Sequence, residues 1–267
     1  MRQQDKYIIC FKFFLMNKFI CITAVCHMRR EATHKAEIVS QLLLGEMAEL
    51  LEETKDFLKL KCLYDSYEGW CQKSQVTEII NNIRTTNFYI NEAIGVVDVN
   101  KKPCRVSLAT PYFKEDIITK NFTLQYSSQN IINATEMVFN EENIKSLSFK
   151  YLNTPYLWGG KSVFGIDCSG FAQQVFKMFN IFLMRDAYQQ AEQGEVVGFL
   201  QQAKCGDLAF FDNDEGRITH VGILLNNQTI IHSAGRVRID NIDNAGIINT
   251  ETGERTHKLR IIKRYKY

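Results

Sequence analysis

From residue 57 the run FLKLKC sets Leu58, Leu60 and Cys62 against Lys59 and Lys61. Period-two alternation marks a strand with one face in a core and the other in water. KFICITAVC, starting at Lys18, is rich in β-branched and aromatic residues and predicts another strand. REATHKAEIVSQLLLGEM predicts a polar loop and then an apolar run ending at Gly45. YDSYEGWC predicts a turn on Asp65 and Gly69 that leads into Trp70. YINEAIGVVDVN, CRVSLATPYF and NFTLQYS are also strand-like, with Pro111 demoting its run to an edge or a turn. After residue 141 the period lengthens. EENIKSLSFKYLN reads as a helix with Leu147 and Tyr151 on one face. SGFAQQVFKMFNI is apolar at Phe171, Val175, Phe176 and Phe179, again a helical spacing. AKCGDLAFFDN, ITHVGILL, QTIIHSAG, RVRID and HKLRIIKR follow as strands separated by Asn, Gly and Asp turns. A helix followed by an antiparallel sheet gives an α+β fold.

Charge narrows the partners. The 32 basic and 30 acidic residues leave a net charge of +2, with no single-sign run, so nucleic acid is not an expected partner. The eight cysteines (Cys10, Cys21, Cys26, Cys62, Cys71, Cys104, Cys168, Cys205) are scattered without a CxxC pair or zinc-type spacing. Buried reduced thiols in a reducing compartment are the expectation, with no metal or cofactor. In MRQQDKYIICFKFFLMNKFICITAVC, Lys12 and Lys18 break the apolar run short of the roughly 20 residues a spanning helix needs. A small-residue cleavage site is missing too. Residues 1–15 are therefore read as an extension or a mis-assigned start, with Met16 as the alternative, and a cytoplasmic location is expected. A degenerate signal peptide, and with it a periplasmic or secreted protein, is the alternative.

The chemistry gathers around GIDCSGF, residues 165–171. Cys168 stands where loop gives way to helix, between an aspartate and a serine. Free N–H groups and the helix dipole there are expected to lower the thiol pKa and to hold a developing oxyanion. A buried, inert thiol is the ordinary reading of any one cysteine, and it stands for the other seven.

Three blocks, YLNTPYLWGGKSVFGIDCSGFAQQVF, ITHVGI and IIHSAG, together resemble the NlpC/P60 family of papain-like cysteine peptidases over roughly the last 120 residues. YDSYEGWC resembles the late hairpin of a bacterial SH3-like barrel. The resemblance implies a papain-like NlpC/P60 catalytic domain over residues 141–267, preceded by one or two small SH3-like β-barrels at 16–80 and 81–140, the second degenerate. It implies Cys168 as nucleophile, His220 as general base and His232 as the third member that fixes the tautomer of His220. Either histidine taken alone reads equally as a packed strand residue. His27, His34 and His257 have no partner signal.

By the same resemblance Tyr156 lies beside the nucleophile, Trp158 walls the pocket, and Asp167 and Ser169 engage a γ-linked D-glutamate and its amine neighbour. Without the motif, Asp167 is a helix cap and the aromatics are core. In RDAYQQAEQG, Arg185 and Asp186 match the family, while Ala187 stands where many relatives carry serine. The implied activity is hydrolysis of the γ-D-glutamyl–L-diamino acid amide of peptidoglycan stem peptides, on free muropeptides during recycling, with no stable membrane span. The first SH3-like domain would close the cleft and bind the free N-terminal amine, with Glu68 as the carboxylate to test. The alternatives are a secreted hydrolase acting on intact wall and an inactive peptidoglycan-binding module.

One register follows from counting. If residues 220–225 and 229–234 pair across the turn Asn226, Asn227, Gln228, then Leu225 meets Thr229, Gly222 faces His232 and His220 faces Ala234. Period two then puts both histidines on one face; a shift of one residue would separate them.

Overall fold

KFICITAVC does not stay in one strand. The computed structural model, which describes residues 17–79, 83–126 and 130–265, splits it into β1 (Lys18–Cys21) and β2 (Val25–Arg29) around a turn where the Thr23 hydroxyl donates to the Val25 carbonyl at 3.1 Å. The expected extension over residues 1–15, and Met16, lie outside the described residues. With β3 (Ile38–Leu43), β4 (Met47–Glu53), β5 (Phe57–Cys62), β6 (Glu68–Gln72) and β7 (Val76–Glu78) these strands form an antiparallel sheet in the order β3-β2-β6-β5-β4-β1-β7. The alternation read in FLKLKC is real: Leu58, Leu60 and Cys62 are buried with Cys21, Cys26, Met28 and Leu42, and the lysines between them are partly exposed.

The next stretch supplies seven of the ten buried residues of one cluster and shares the rest with the first sheet. β9 (Ile94–Val99), β10 (Lys102–Ser107), β11 (Ile117–Ile118) and β12 (Thr123–Gln125) make one four-stranded sheet. A separate ribbon pairs β8 (Phe88–Ile90) with β13 (Ile131–Asn133). Pro111 meets Tyr89 only through an isolated bridge, as a residue without an N–H must at an edge. Val97, Val106, Phe122 and Leu124 are buried in one cluster with Ile20, Leu44 and Met47 of the first sheet. Tyr89, Leu108 and Ala109 are buried in the cluster of the C-terminal region. Residues 83–126 and 130–140, where a second, degenerate SH3-like barrel was expected, thus form a four-stranded sheet and a two-stranded ribbon that share buried clusters with both neighbours.

From α1 (Glu141–Phe149) onward the period is helical, then two again. Asn140 caps α1 by accepting from Asn143 N–H at 2.9 Å, and Glu141 and Glu142 sit in its first turn, where the helix dipole favours them. A short hairpin, β14 (Lys161–Ser162) and β15 (Gly165–Ile166), leads into α2 (Cys168–Lys177), every residue of which is buried. α3 (Ala187–Glu192) follows, then β16 (Glu195–Val197), β17 (Leu208–Asp212), β18 (Ile218–Leu224), β19 (Thr229–Ala234), β20 (Arg236–Asp243), β21 (Gly246–Ile248) and β22 (Arg255–Arg264). The sheet runs β16-β22-β17-β18-β19-β20-β21, and β21 pairs back onto β22, so the last six of these strands close into a barrel. Alternation sorts their side chains. Val221, Ile223 and Ile231 share a cluster with Phe171, Val175 and Phe176 of α2. Leu224 and Ile230 join Phe211, Ile242 and Ile247 in a second one.

Buried charges lock the N-terminal sheet to α2. Lys177 Nζ donates to Glu46 Oε1 at 2.6 Å, and Lys161 Nζ lies 3.7 Å from both Glu46 Oε2 and Asp65 Oδ2. Gln173 donates to Asp65 at 3.1 Å, and the Lys161 N–H donates to the Gln41 side chain at 2.7 Å. Burial alone would raise the Glu46 carboxyl; the two ammonium groups outweigh it and hold the pKa at about 2. Two lysines against two carboxylates leave the cluster neutral, which is what permits it in an interior. Among the described residues no helix is long and apolar enough to cross a membrane, and the seven cysteines are unpaired with one another.

Candidate active site

Asp167 is in extended conformation and starts α2: its carboxylate accepts from the Gly170 N–H at 2.6 Å. A β-carbon at Gly170 would come within 2.2 Å of the Gly160 carbonyl oxygen, so only glycine lets the helix begin this close to the preceding loop. The turn places Cys168 with its Sγ 4.0 Å from the carbonyl of Thr219, the residue before His220. The expected drop in thiol pKa does not occur. Burial pushes the Cys168 thiol up to about 12 and the Asp167 charge adds to this, while the N–H groups of Val221 and Ser169 and the Arg185 charge pull the other way and lose. Cys168 is only 6% exposed, and desolvation of a thiolate outweighs the helix start. A neutral thiol needs a base.

β18 and β19 pair in the register expected: Gly222 is paired with His232, Ile223 with Ile231 and Leu224 with Ile230, and the Leu225 N–H donates to the Thr229 carbonyl at 2.9 Å. The Asn226 side chain holds the turn, accepting from the N–H groups of Gln228 and Thr229 at 2.7 and 2.9 Å. A β-carbon at Gly222 would approach His232 Cβ at 2.8 Å and Ile230 Cδ1 at 2.7 Å, so the glycine opens the space the second imidazole fills. His220 Nε2 and His232 Nδ1 are 2.8 Å apart. Burial, followed by the neighbouring His232 and His257, lowers the His220 pKa well below the usual imidazole value.

The chain of hydrogen bonds continues to a residue the sequence did not single out. His232 Nε2 lies 2.9 Å from Asp240 Oδ2. Asp240 also accepts from Arg238 at 3.0 Å and from the N–H and hydroxyl of Thr250, both at 2.9 Å. Burial would raise this carboxyl, but the bonds from His232, Thr250 and Arg238 hold it far below the carboxylate range. An ionised carboxylate only accepts, so His232 carries its proton on Nε2 and offers a lone pair at Nδ1. His220 must then donate from Nε2, which leaves its Nδ1 free to take a proton. Asp240 thereby sets both tautomers. The only signal for it in the sequence is parity: Asp240 is paired with Ile230, so it lies diagonal to His232 across adjacent strands.

The remaining site residues divide. Arg185 grips Asp167 with two nitrogens, Nη2 to Oδ2 at 2.6 Å and Nη1 to Oδ1 at 3.1 Å, and also donates to the Ser169 hydroxyl at 2.9 Å and to the Ser40 hydroxyl at 3.2 Å. It is 1% exposed and does not border the cleft, so it holds the residues flanking Cys168 from behind. Replacing Arg185 by Met should destabilise the protein by about 3–5 kcal/mol in urea unfolding, because the Asp167 carboxylate is left buried without its partner. A loss below 1 kcal/mol would show that the pair carries little.

The cleft in front of Cys168 has a volume of about 490 Å³. Tyr156, Trp158, Asp167, Ser169, Asp186 and Ala187 border it from the peptidase side; Trp158 is 59% exposed. Burial raises the Tyr156 phenol, which keeps its proton available to donate. Tyr67 donates to Asp186 at 3.4 Å and, with Arg30, Glu37 and Val39, walls the cleft from the N-terminal domain. Glu68 is not brought there: its carboxylate lies 3.5 Å from Lys59 on the neighbouring strand, because the turn after Asp65 sends Tyr67 toward the cleft and the next residue away from it.

Residues 153–256 match the NlpC/P60 family, and residues 28–76 match the bacterial dipeptidyl-peptidase SH3 domain. The chain is 26% identical over 260 residues to the gamma-D-glutamyl-L-lysine dipeptidyl-peptidase of Bacillus cereus, covering 84% of this chain and 77% of that protein. It is 44% identical over 95 residues to the Bacillus subtilis protein of the same name, covering 35% of this chain and 31% of that one. The crystal structure of an NlpC/P60 family protein from Bacillus cereus superimposes with a TM-score of 0.77 at 20% identity, covering 93% of this chain and 99% of that one. A thiol at a helix start, two hydrogen-bonded imidazoles on the adjoining hairpin and SH3-domain residues bordering the cleft agree with these matches, and the chain combines an NlpC/P60 domain with a bacterial dipeptidyl-peptidase SH3 domain.

Proposed function

We propose that the protein hydrolyses the amide between γ-D-glutamate and an L-diamino acid in peptidoglycan stem peptides whose N-terminus is free, as in muropeptides being recycled. The observation that supports this reading is the lining of the cleft: Arg30, Glu37, Val39 and Tyr67 of the N-terminal domain border it together with the residues around Cys168, which favours a short peptide end over a glycan strand continuing past it. The relatives named gamma-D-glutamyl-L-lysine dipeptidyl-peptidase support the choice of bond.

The chemistry follows from the tautomers. His220 Nδ1 takes the Cys168 proton as the sulfur attacks the amide carbonyl, and the N–H groups at the start of α2 and the Tyr156 hydroxyl stabilise the oxyanion. The imidazolium returns the proton to the leaving amine, giving a thioester and the free diamino acid end. Water, deprotonated by the same nitrogen, then releases the dipeptide acid and restores the thiol. Since a γ-amide is an ordinary amide, selectivity rests with the cleft. Asp186, rather than Glu68, is the carboxylate placed for the substrate ammonium: it borders the cleft, and burial raises its pKa against the pull of Arg185 and Tyr67, so a cation would relieve it.

Acetylating the N-terminus of L-alanyl-γ-D-glutamyl-L-lysine should lower kcat/KM at least about 30-fold, because Asp186 then loses its partner in a desolvated site. Equal cleavage of the free peptide, the acetylated peptide and intact sacculi would instead favour the wall hydrolase.

A further inference from the structure

His257, on β22, lies face to face with His220: the ring centroids are 4.1 Å apart and the planes 26° from parallel. The same ring meets the His232 and Phe211 rings at 5.8 and 5.9 Å. Nothing in the mechanism above uses it. We propose that His257 is a positioning residue for the peptidase reaction, a neutral aromatic platform that fixes the plane of His220 and tolerates the imidazolium formed when Cys168 attacks. The inference rests on the reading of Cys168 and His220 as nucleophile and base.

The hydrogen bond from Nε2 to His232 fixes one direction of the His220 ring and leaves rotation about that direction free. Such a rotation turns Nδ1, the nitrogen proposed above to take the Cys168 proton, out of its orientation. His232 approaches nearly perpendicular, at 83°, and Phe211 is tilted by 46°, so neither supplies a parallel face. His257 does. The platform must also be uncharged, since a cation stacked at this distance would oppose proton transfer to His220. Burial and then His232 lower the His257 pKa to about 4 against the opposing pull of Asp240, so the ring is neutral where the reaction runs. The groups facing it are His220 from β18, Phe211 from β17, His232 from β19 and Asp240 from β20. On its own strand the Thr256 hydroxyl lies 2.8 Å from its Nδ1.

His257→Ala, His257→Phe and His257→Lys separate the platform from mere packing. Two readouts are needed: the pH profile of kcat/KM on L-alanyl-γ-D-glutamyl-L-lysine, and the His220 titration followed by NMR of ring-labelled histidine, which needs no turnover. His257→Ala should lower kcat about tenfold with KM within about twofold, the loss expected of a misaligned base. It should also move the His220 titration and the acid limb to higher pH, because the ring becomes hydrated. His257→Phe should restore most of kcat. His257→Lys should move both to lower pH and reduce kcat below the alanine variant. An unmoved His220 titration in the alanine and lysine variants would overturn the proposal, as would a phenylalanine variant as poor as alanine. If the wild type leaves the peptide intact while the titration shifts as described, the substrate assignment fails and the stack on His220 stands.

Discussion

Cys168→Ala should abolish hydrolysis, lowering kcat by about 10⁴-fold or more, with the melting curve and circular dichroism of the wild type. Without the sulfur no thioester forms, and the imidazole pair has nothing to deprotonate but water. The fold has little reason to respond. The thiol donates only a long contact to the Thr219 carbonyl, and the α2 start is held by Asp167, Gly170 and Arg185 whether or not a sulfur is present. Product release followed by chromatography decides it. A rate above one-hundredth of the wild type would mean that another group attacks.

Asp240→Asn should be almost as damaging, with a loss in kcat of roughly 10²- to 10⁴-fold and little change in KM. Asn fills the same space but presents an NH₂ group as well as a carbonyl. If the amide donates to His232 Nε2, the proton of His232 moves to Nδ1 and His220 must accept through Nε2. Its remaining proton is then on Nδ1, where the thiol needs a lone pair. Arg238 also loses one of its two carboxylate partners, Glu251 being the other, so Asp240→Glu is the companion variant that keeps the charge and alters only the reach. Wild-type kcat in Asp240→Asn would show that His232 is oriented without the carboxylate.

Much of the site was legible because it is local. The proposed nucleophile is marked by its neighbours in GIDCSGF, of which Asp167 needs only the next turn of helix to act as cap. The pairing of His220 with His232 follows from a turn of three residues and the period of a strand, with both partners on one hairpin. The α+β order and the alternation in FLKLKC are likewise written within a dozen residues.

What misled were quantities that depend on distant surroundings. The helix start at Cys168 is a real electrostatic feature, yet the thiol pKa rises because the whole of α2 is buried against β18, and desolvation outweighs a partial charge. Arg185 and Asp167 read separately in the sequence, and only the fold shows them to be each other's partners, 18 residues apart in the chain and joined by two hydrogen bonds, with Asp167 bordering the cleft and Arg185 behind it.

Residue order along each strand and helix determined the elements, the hairpin register and the residues proposed as nucleophile and base, since these rest on interactions within a few residues. The tertiary structure alone decided which long-range partners each group acquired: Asp240 behind His232, His257 beneath His220, Tyr67 at the cleft in place of Glu68, and Lys161 and Lys177 in a neutral interior cluster with Glu46 and Asp65. Two lysines of ordinary appearance are buried there because carboxylates far away in the chain meet them. Burial and charge compensation are properties of that meeting, and no local pattern encodes it.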